Sequence, residues 1–404
     1  MLSVQEARER ILSQFQTTAT ELISLLAASN RVLGVDITAA NELPLFDNSS
    51  MDGFAIRAED SSASSTTLSV VADIPAGSTP QVNLQAGQAA RIMTGAQMPQ
   101  GANAVVPVED TNFHSREAGT AAPESVSFQR IVKAGENVRK RGMDLQAGDF
   151  VLKKGRTLKP QDLGLLAMLG MAEVQVFKKP RVALLSSGDE LLEAGAPLET
   201  GKIRDSNSHT IAALIESAGA EVIRLGVAKD TRASVTKLFE KAASQQVDLI
   251  LSSAGVSVGA FDFIKEVIES QGKMDFWRVN MRPGKPLAFG EYRGINFIGL
   301  PGNPVSAFVG FEVFVRDVLQ KLSGRSDGSR LKVRVRCVEE IESDGRESYL
   351  RAKINEENGI LSATLTGHQG SGNLLSLVQA DALLIIPAGV KCVPAGQEVE
   401  AFLL

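Results

Sequence analysis

The sequence predicts a multidomain α/β plus β protein built around a doubly wound, mainly parallel sheet. Between residues 181 and 300, four near-continuous apolar segments, Arg181–Ser186, Glu221–Gly226, Asp248–Ser252 and Ile295–Leu300, alternate with helical patterns. On either side the pattern changes, to short β runs between Gly, Pro and Ser links before it and to period-two alternation after it. A chain of 404 residues is also too long for one ordinary core and calls for several domains.

Taken in order, Ser3 and Glu6 have capping-box spacing at the start of a helix, and charges stand in Met1–Ile11 where a signal peptide needs an apolar stretch. Residues 1–44 read as helix and then extended chain. From 45 to 140, β runs at 67–71, 89–93, 104–108 and 125–130 form an inserted β-rich domain. The flank 141–175 holds a second helix over 160–170, with Pro at its start and Gly at its end, so 1–44 and 141–175 together read as a helical stem around the insertion. Residues 176–326 form the sheet domain. Residues 327–404, opening on the alternating Lys332–Val338, form a small β-barrel-like module.

Composition excludes several classes. With 44% hydrophobic residues, a net charge of -5 and 36 glycines, the chain is neither disordered nor a polybasic nucleic-acid binder. No apolar run reaches the roughly 18 residues that span a bilayer, and the expected compartment is the cytoplasm. There is neither a P-loop nor a dinucleotide fingerprint. The three histidines lack zinc-ligand spacing, and Cys337 and Cys392, without C-x-x-C spacing, read as buried, reduced structural thiols.

In a doubly wound sheet, ligands sit beyond the carboxyl ends of the strands. Polar clusters fall there: Ser186-Ser-Gly-Asp-Glu190, Lys229-Asp230, Ser252 to Asp262, and Pro301-Gly-Asn303. The turn carrying Gly255, Ser257 and Gly259 offers bare backbone N–H groups to an anion. Glu190, Asp230 and Asp262 stand on three strand-to-helix loops, and oxygen-only ligation suits Mg²⁺. Arg282-Pro-Gly-Lys285 places a planar fork and a point charge around a tight turn, where they can embrace an oxyanion. Taken singly, each residue is equally compatible with a helix cap, a solvated charge or an ordinary turn. The same holds for Asp52 before Gly53, Thr94 at a strand end, and Arg139-Lys-Arg141 ahead of Gly142-Met-Asp144.

A resemblance adds to this. The runs Asn48-Ser-Ser-Met-Asp-Gly-Phe54, Arg91-Ile-Met-Thr-Gly95, Arg141-Gly-Met-Asp144, Ser187-Gly-Asp-Glu-Leu191, Ala254-Gly-Val-Ser-Val-Gly259, Arg282-Pro-Gly-Lys-Pro286, Gly299-Leu-Pro-Gly-Asn-Pro-Val-Ser306 and Thr366-Gly-His-Gln-Gly-Ser371 resemble the signatures of the MoeA family of molybdopterin molybdenumtransferases, in the family's order and over nearly the whole chain.

The resemblance implies a four-part subunit, with a sheet domain like that of molybdopterin adenylyltransferases. It also implies a homodimer whose active cleft is shared between subunits. The implied reaction inserts molybdate into the dithiolene of adenylylated molybdopterin and releases AMP. Lys285, Arg282, Ser306 and the Pro301-Gly302-Asn303 backbone would hold molybdate or substrate phosphate, and Gly255, Ser257 and Gly259 would cradle phosphate. Glu190, Asp230 and Asp262 would carry Mg²⁺, while Asp52 and Asp144 close the cleft from the other subunit. Thr94, Ser187 and Ser371, within three of the motifs, are expected to contact substrate. A molybdopterin adenylyltransferase and apo-molybdoenzymes are the implied partners. The chain departs from the family pattern at Ala254, where Gly is common, at Arg204 and Ser206, where an aromatic residue and Thr are common, and at Arg282, in place of a frequent Lys. Adenylyl transfer, a non-catalytic cofactor carrier or scaffold, and tungstate in place of molybdate are the alternatives.

Overall fold

The four predicted strands are apolar throughout because each is buried on both faces. In β1 (Arg181–Ser187), Val182 and Leu184 enter one hydrophobic cluster while Ala183 and Leu185 enter another on the opposite face. The pattern recurs in β3 (Leu249–Ser253), with Leu249 and Leu251 on the first face and Ile250 on the second. The structure, a computed structural model, describes residues 1–113, 120–253, 261–326 and 330–404, with Phe261, Asp262, Phe276 and Trp277 described in backbone only.

With β2 (Glu221–Ala228), β4 (Gly272–Arg278), β5 (Pro286–Tyr292) and β6 (Ile295–Leu300), these strands form a six-stranded sheet in the order β2-β1-β3-β6-β5-β4. The pairs among β2, β1, β3 and β6 are parallel, and β5 and β4 extend the edge antiparallel. The sheet is therefore doubly wound and mainly parallel, with an antiparallel edge that the alternating β and α pattern did not announce. The first cluster takes Ile211, Leu214 and Ile215 from α2 (Asn207–Ser217), and also Val4, Ala7 and Ile11 from α1 (Val4–Leu12). The predicted capping box is present, with Glu6 N donating to Ser3 Oγ and Ser3 N to Glu6 Oε2. Val235, Phe239 and Ala242 of α3 (Arg232–Ser244) and Ile264, Val267 and Ile268 of α4 (Phe261–Gln271) cover the other face.

The last predicted module is a closed barrel. β7 (Lys332–Cys337), β8 (Glu347–Glu357), β9 (Ile360–Leu365), β10 (Ala382–Ile386) and β11 (Glu398–Leu403) pair in the order β8-β9-β7-β11-β10, and β10 returns to β8. The two-residue strand Met281–Arg282 adds to β8 in parallel, with Arg282 opposite Ser348. Cys337 is buried, but Cys392 is exposed, which corrects its reading as a buried thiol. In the short strand Cys392–Val393 the period of two turns Val393 inward and Cys392 outward.

By internal packing the chain divides into two units, one of residues 1–35, 154–167 and 171–404 and the other of residues 36–153 and 168–170. The second holds a five-stranded sheet in the order Ala104–Pro107, Gly53–Ile56, Gln88–Ile92, Thr66–Ile74, Ser125–Phe128. Phe54 and Ile56 pack on one face and Ala55 on the other. Gly53 is needed there, since a Cβ would fall 2.1 Å from the Val106 carbonyl oxygen. Among the described residues no helix is long and apolar enough to cross a membrane.

Candidate active site

A cleft of about 950 Å³ opens beyond the carboxyl ends of β1, β3 and β6, where Glu190, Ser253 and the Pro301–Pro304 turn meet. The Arg282–Pro286 turn forms another wall. The barrel supplies Arg346 and the loop Gln369–Gly372. Four cations, Arg204, Arg282, Lys285 and Arg346, line the cleft against two carboxylates, Glu190 and Asp205. Of the residues singled out in the sequence, Glu190, Arg282, Lys285, Pro301, Gly302, Asn303, Ser306 and Ser371 meet here.

Each wall is fixed by bonds between elements. β6 runs into the Pro301-Gly-Asn turn and then into α5 (Pro304–Gly310), whose first residue is the proline favoured at that position. Asn303 Nδ2 donates to Ser371 Oγ at 3.1 Å, and the Val305 amide donates to the Ser371 carbonyl at 3.0 Å, so the barrel loop is bonded to the sheet-domain turn. From α2, Asn207 Nδ2 donates to the Gly302 carbonyl at 2.7 Å. Gly284 has φ +96°, and a Cβ there would meet the Ser306 carbonyl oxygen at 3.4 Å, so the basic turn lies against Ser306. The Lys285 side chain is exposed and makes no hydrogen bond or ion pair with the described residues. Arg282 has Asp344 at 3.9 Å.

The candidate metal ligands are placed unequally. Glu190 lies in the cleft, its carboxylate folded over Gly188, where φ is +148° and a Cβ would fall 2.6 Å from Oε2. Asp230 is joined to the same loop, since the Asp189 amide donates to Asp230 Oδ2 at 3.4 Å and the Asp230 amide to Asp189 Oδ1 at 3.2 Å. The N-cap of α3 is Thr231, so Asp230 is not spent on capping. The Asp262 side chain, Gly255, Ser257 and Gly259 lie outside the described residues, among which no group of three potential metal ligands is gathered. The two loops bearing Glu190 and Asp230 nonetheless touch, and the donor set is oxygen alone, which fits a hard divalent cation. Ser187 is buried at the end of β1, and its hydroxyl has no partner among the described residues.

Asp52, Thr94 and Asp144 belong to the second unit, whereas the cleft is lined by the first alone. There Asp52 Oδ1 accepts from the Thr94 amide at 2.7 Å and from its hydroxyl at 2.8 Å. Asp144 pairs with Arg139.

Two arginines escaped the sequence reading. Arg346 lines the cleft from the barrel. Arg351 is fully buried behind the Gln369–Gly372 loop and donates to Ser376 Oγ at 3.1 Å, the Gly370 carbonyl at 3.0 Å and the His368 carbonyl at 3.4 Å. It has no carboxylate partner among the described residues, and its Nη1 is unbonded. Burial, with a smaller repulsion from Arg282, lowers its pKa to about 10, so it remains a cation at neutral pH. Both arginines sit in the alternating pattern of a strand and its approach, which marks them only as polar strand positions.

A cation-rich cleft at the strand ends of a doubly wound sheet is the arrangement of an enzyme for anionic substrates. Known relatives identify the family. Residues 2–170 match the MoeA N-terminal region (domains I and II), residues 183–321 a probable molybdopterin-binding domain, and residues 334–404 the MoeA C-terminal region (domain IV). The chain is 39% identical to the molybdopterin molybdenumtransferase of Haemophilus influenzae, over 99% of this chain and 98% of the relative. It is 38% identical to that of a Nostoc species, over 94% and 88% respectively. The crystal structure of the molybdopterin biosynthesis MoeA protein of Pyrococcus horikoshii superposes with a TM-score of 0.82 at 32% identity, covering 100% of both chains. The chain belongs to the MoeA family of molybdopterin molybdenumtransferases, enzymes of molybdenum cofactor biosynthesis.

Proposed function

We propose that this enzyme inserts molybdate into the dithiolene of adenylylated molybdopterin and releases AMP. The observation that carries the reading is the convergence of Arg204, Arg282, Lys285 and Arg346 on one cleft of a chain from this family. Metal insertion brings an oxyanion to a substrate that already bears a pyrophosphate, so repulsion between anions is the first barrier. Cations gathered along one cleft lower that barrier before any bond changes. Lys285 and Arg282 hold molybdate or substrate phosphate, one as a point charge and the other as a fork, with Ser306 and the Pro301-Gly302-Asn303 backbone completing the cradle. Ser371 steadies Asn303, and Arg351 adds positive charge from behind the loop. Gly255, Ser257 and Gly259 cradle phosphate, and Ser187 closes the end of β1.

Glu190, Asp230 and Asp262 would hold Mg²⁺, which when bound supplies neutralisation of the pyrophosphate and a better leaving group in AMP. In a homodimer, Asp52, Thr94 and Asp144 of the second subunit would close the cleft. The product would pass to apo-molybdoenzymes in the cytoplasm, after an adenylyltransferase has supplied the substrate.

The test is incubation of the purified chain with adenylylated molybdopterin, Mg²⁺ and low molybdate, following AMP release and reconstitution of a molybdenum-free apoenzyme. Molybdate-dependent AMP release with active cofactor supports the reading. AMP without active cofactor would make the protein a hydrolase on this substrate, and pterin binding without release would favour a carrier.

A further inference from the structure

Arg346 lines the cleft, and the Nε–Nη2 edge of its guanidinium is already taken. Its Nε donates to the two carboxylate oxygens of Asp344 at 3.2 and 3.0 Å, and Nη2 donates to Asp344 as well. Nη1 is bonded to the Met281 carbonyl at 3.1 Å. The same carboxylate stands 3.9 Å from Nη1 of Arg282. This contact exists because Met281–Arg282 adds to the start of β8, bringing the basic turn of the sheet domain beside the barrel loop that carries Asp344. Hydrogen bonds from Arg346, with the charge of Arg282 a lesser contributor, hold the Asp344 carboxyl below its ordinary value, so it is ionised at neutral pH. A carboxylate and a tetrahedral oxyanion compete for the same planar fork of donors.

We propose that Asp344 is an internal counter-anion of the cleft, a specificity-determining residue that occupies the Nε–Nη2 edge of Arg346 and competes there with incoming oxyanions. The inference rests on the cleft being the anion site. A lone sulfate or phosphate must displace Asp344 or lie beside its negative charge, and both cost binding energy. A larger substrate with several anionic groups draws on Lys285, Arg282 and the turn amides as well and can displace it. Asp344 thus raises the threshold for a lone oxyanion, molybdate included, more than for the multiply charged pterin substrate, a discrimination built by repulsion rather than by added contacts.

Calorimetric titration of molybdate and of sulfate into the full-length wild-type chain and into Asp344→Asn, Arg346→Gln, Asp344→Asn/Arg346→Gln and Lys285→Gln tests this, with thermal unfolding as the folding control. Asp344→Asn should bind both oxyanions about threefold to fivefold more tightly, the size expected for removing a part-exposed like charge. Arg346→Gln should weaken binding, and the double variant should lose the gain. If Asp344 merely props Arg346 in place, Asp344→Asn will bind the anions equally or more weakly while Lys285→Gln still lowers molybdate affinity; that result overturns the competitor role and leaves the cleft reading standing. If Lys285→Gln changes nothing, or if no variant binds either anion, both readings fall. Should the Asn variant unfold, Asp344→Ser gives the same comparison with a smaller neutral side chain.

Discussion

Asn303 and Ser371, far apart in the chain, are joined by a 3.1 Å hydrogen bond from Asn303 Nδ2 to Ser371 Oγ. That bond ties the turn after β6 to the glycine-rich loop of the barrel, and both line the cleft. Ser371→Ala removes the acceptor but leaves the Val305 amide bonded to the Ser371 carbonyl. Its cost in stability should be about 1 kcal/mol. Its effect on function should be larger, as a rise in the molybdate concentration needed for half-maximal AMP release, measured at saturating pterin substrate.

Glu190 depends on Gly188. An alanine there would place a methyl 2.6 Å from Glu190 Oε2 and force a side chain into a φ of +148°. Gly188→Ala should lose about 1–3 kcal/mol of stability. Displacing Glu190 should also raise the Mg²⁺ concentration needed for activity, which a Mg²⁺ titration of AMP release at fixed molybdate would measure.

Arg351 carries a charge in the protein interior with no carboxylate beside it among the described residues. An anion in the cleft offsets part of that cost, so molybdate should raise the melting temperature of the wild type. Arg351→Met should reduce this anion-linked stabilisation by about 1–2 kcal/mol. Thermal unfolding with and without molybdate gives the difference directly, whatever the substitution does to the ligand-free protein.

Much of this arrangement was legible in the sequence, and the limits have physical causes. The parallel strands were visible because burial on both faces makes them apolar at every position, as Val182 to Leu185 illustrate. The cleft residues on turns, Arg282, Lys285 and Asn303, were visible because Gly and Pro punctuate them. The edge strands β4 and β5 were not, since Lys273 and Asp275 interrupt β4 and the apolar run of β5, Leu287–Phe289, is short and stands next to the Pro-Gly turn. The packing of α1 in the sheet core was equally hidden, because Val4, Ala7 and Ile11 show that one face is buried and not which surface buries it. Arg346 lines the cleft and Arg351 stands behind its barrel loop through long-range strand pairings, including that of Met281–Arg282 with β8, which local pattern does not encode.

The barrel is held to the sheet domain in part by Glu312, which is buried in the π-helical turn Phe311–Val315. It accepts two hydrogen bonds from Arg316 at 2.7 Å and two from Arg330 at 2.8 Å. Burial pushes its pKa up, but the bonds and charges of the two arginines outweigh this and hold it below the ordinary value of 4.5. A depressed folded pKa contributes stability that is fully present above the unfolded value and is lost as pH falls through the folded one. Glu312→Gln should therefore cost about 3–5 kcal/mol at pH 7, because two arginines lose a buried partner. The gap from wild type should close in acid, as wild-type Glu312 becomes protonated. Chemical denaturation at pH 7 and at stepped acidic pH would measure both ends.

Receipt of molybdate by the Lys285 cleft is the step on which insertion depends. Its most direct measurement is the molybdate dependence of AMP release from adenylylated molybdopterin by wild type and by Lys285→Gln, at fixed Mg²⁺. Loss of one charge-assisted contact should raise the half-saturating molybdate concentration of the variant by about tenfold to a hundredfold. AMP release that ignores molybdate, or a variant whose molybdate curve overlays that of the wild type, would contradict it.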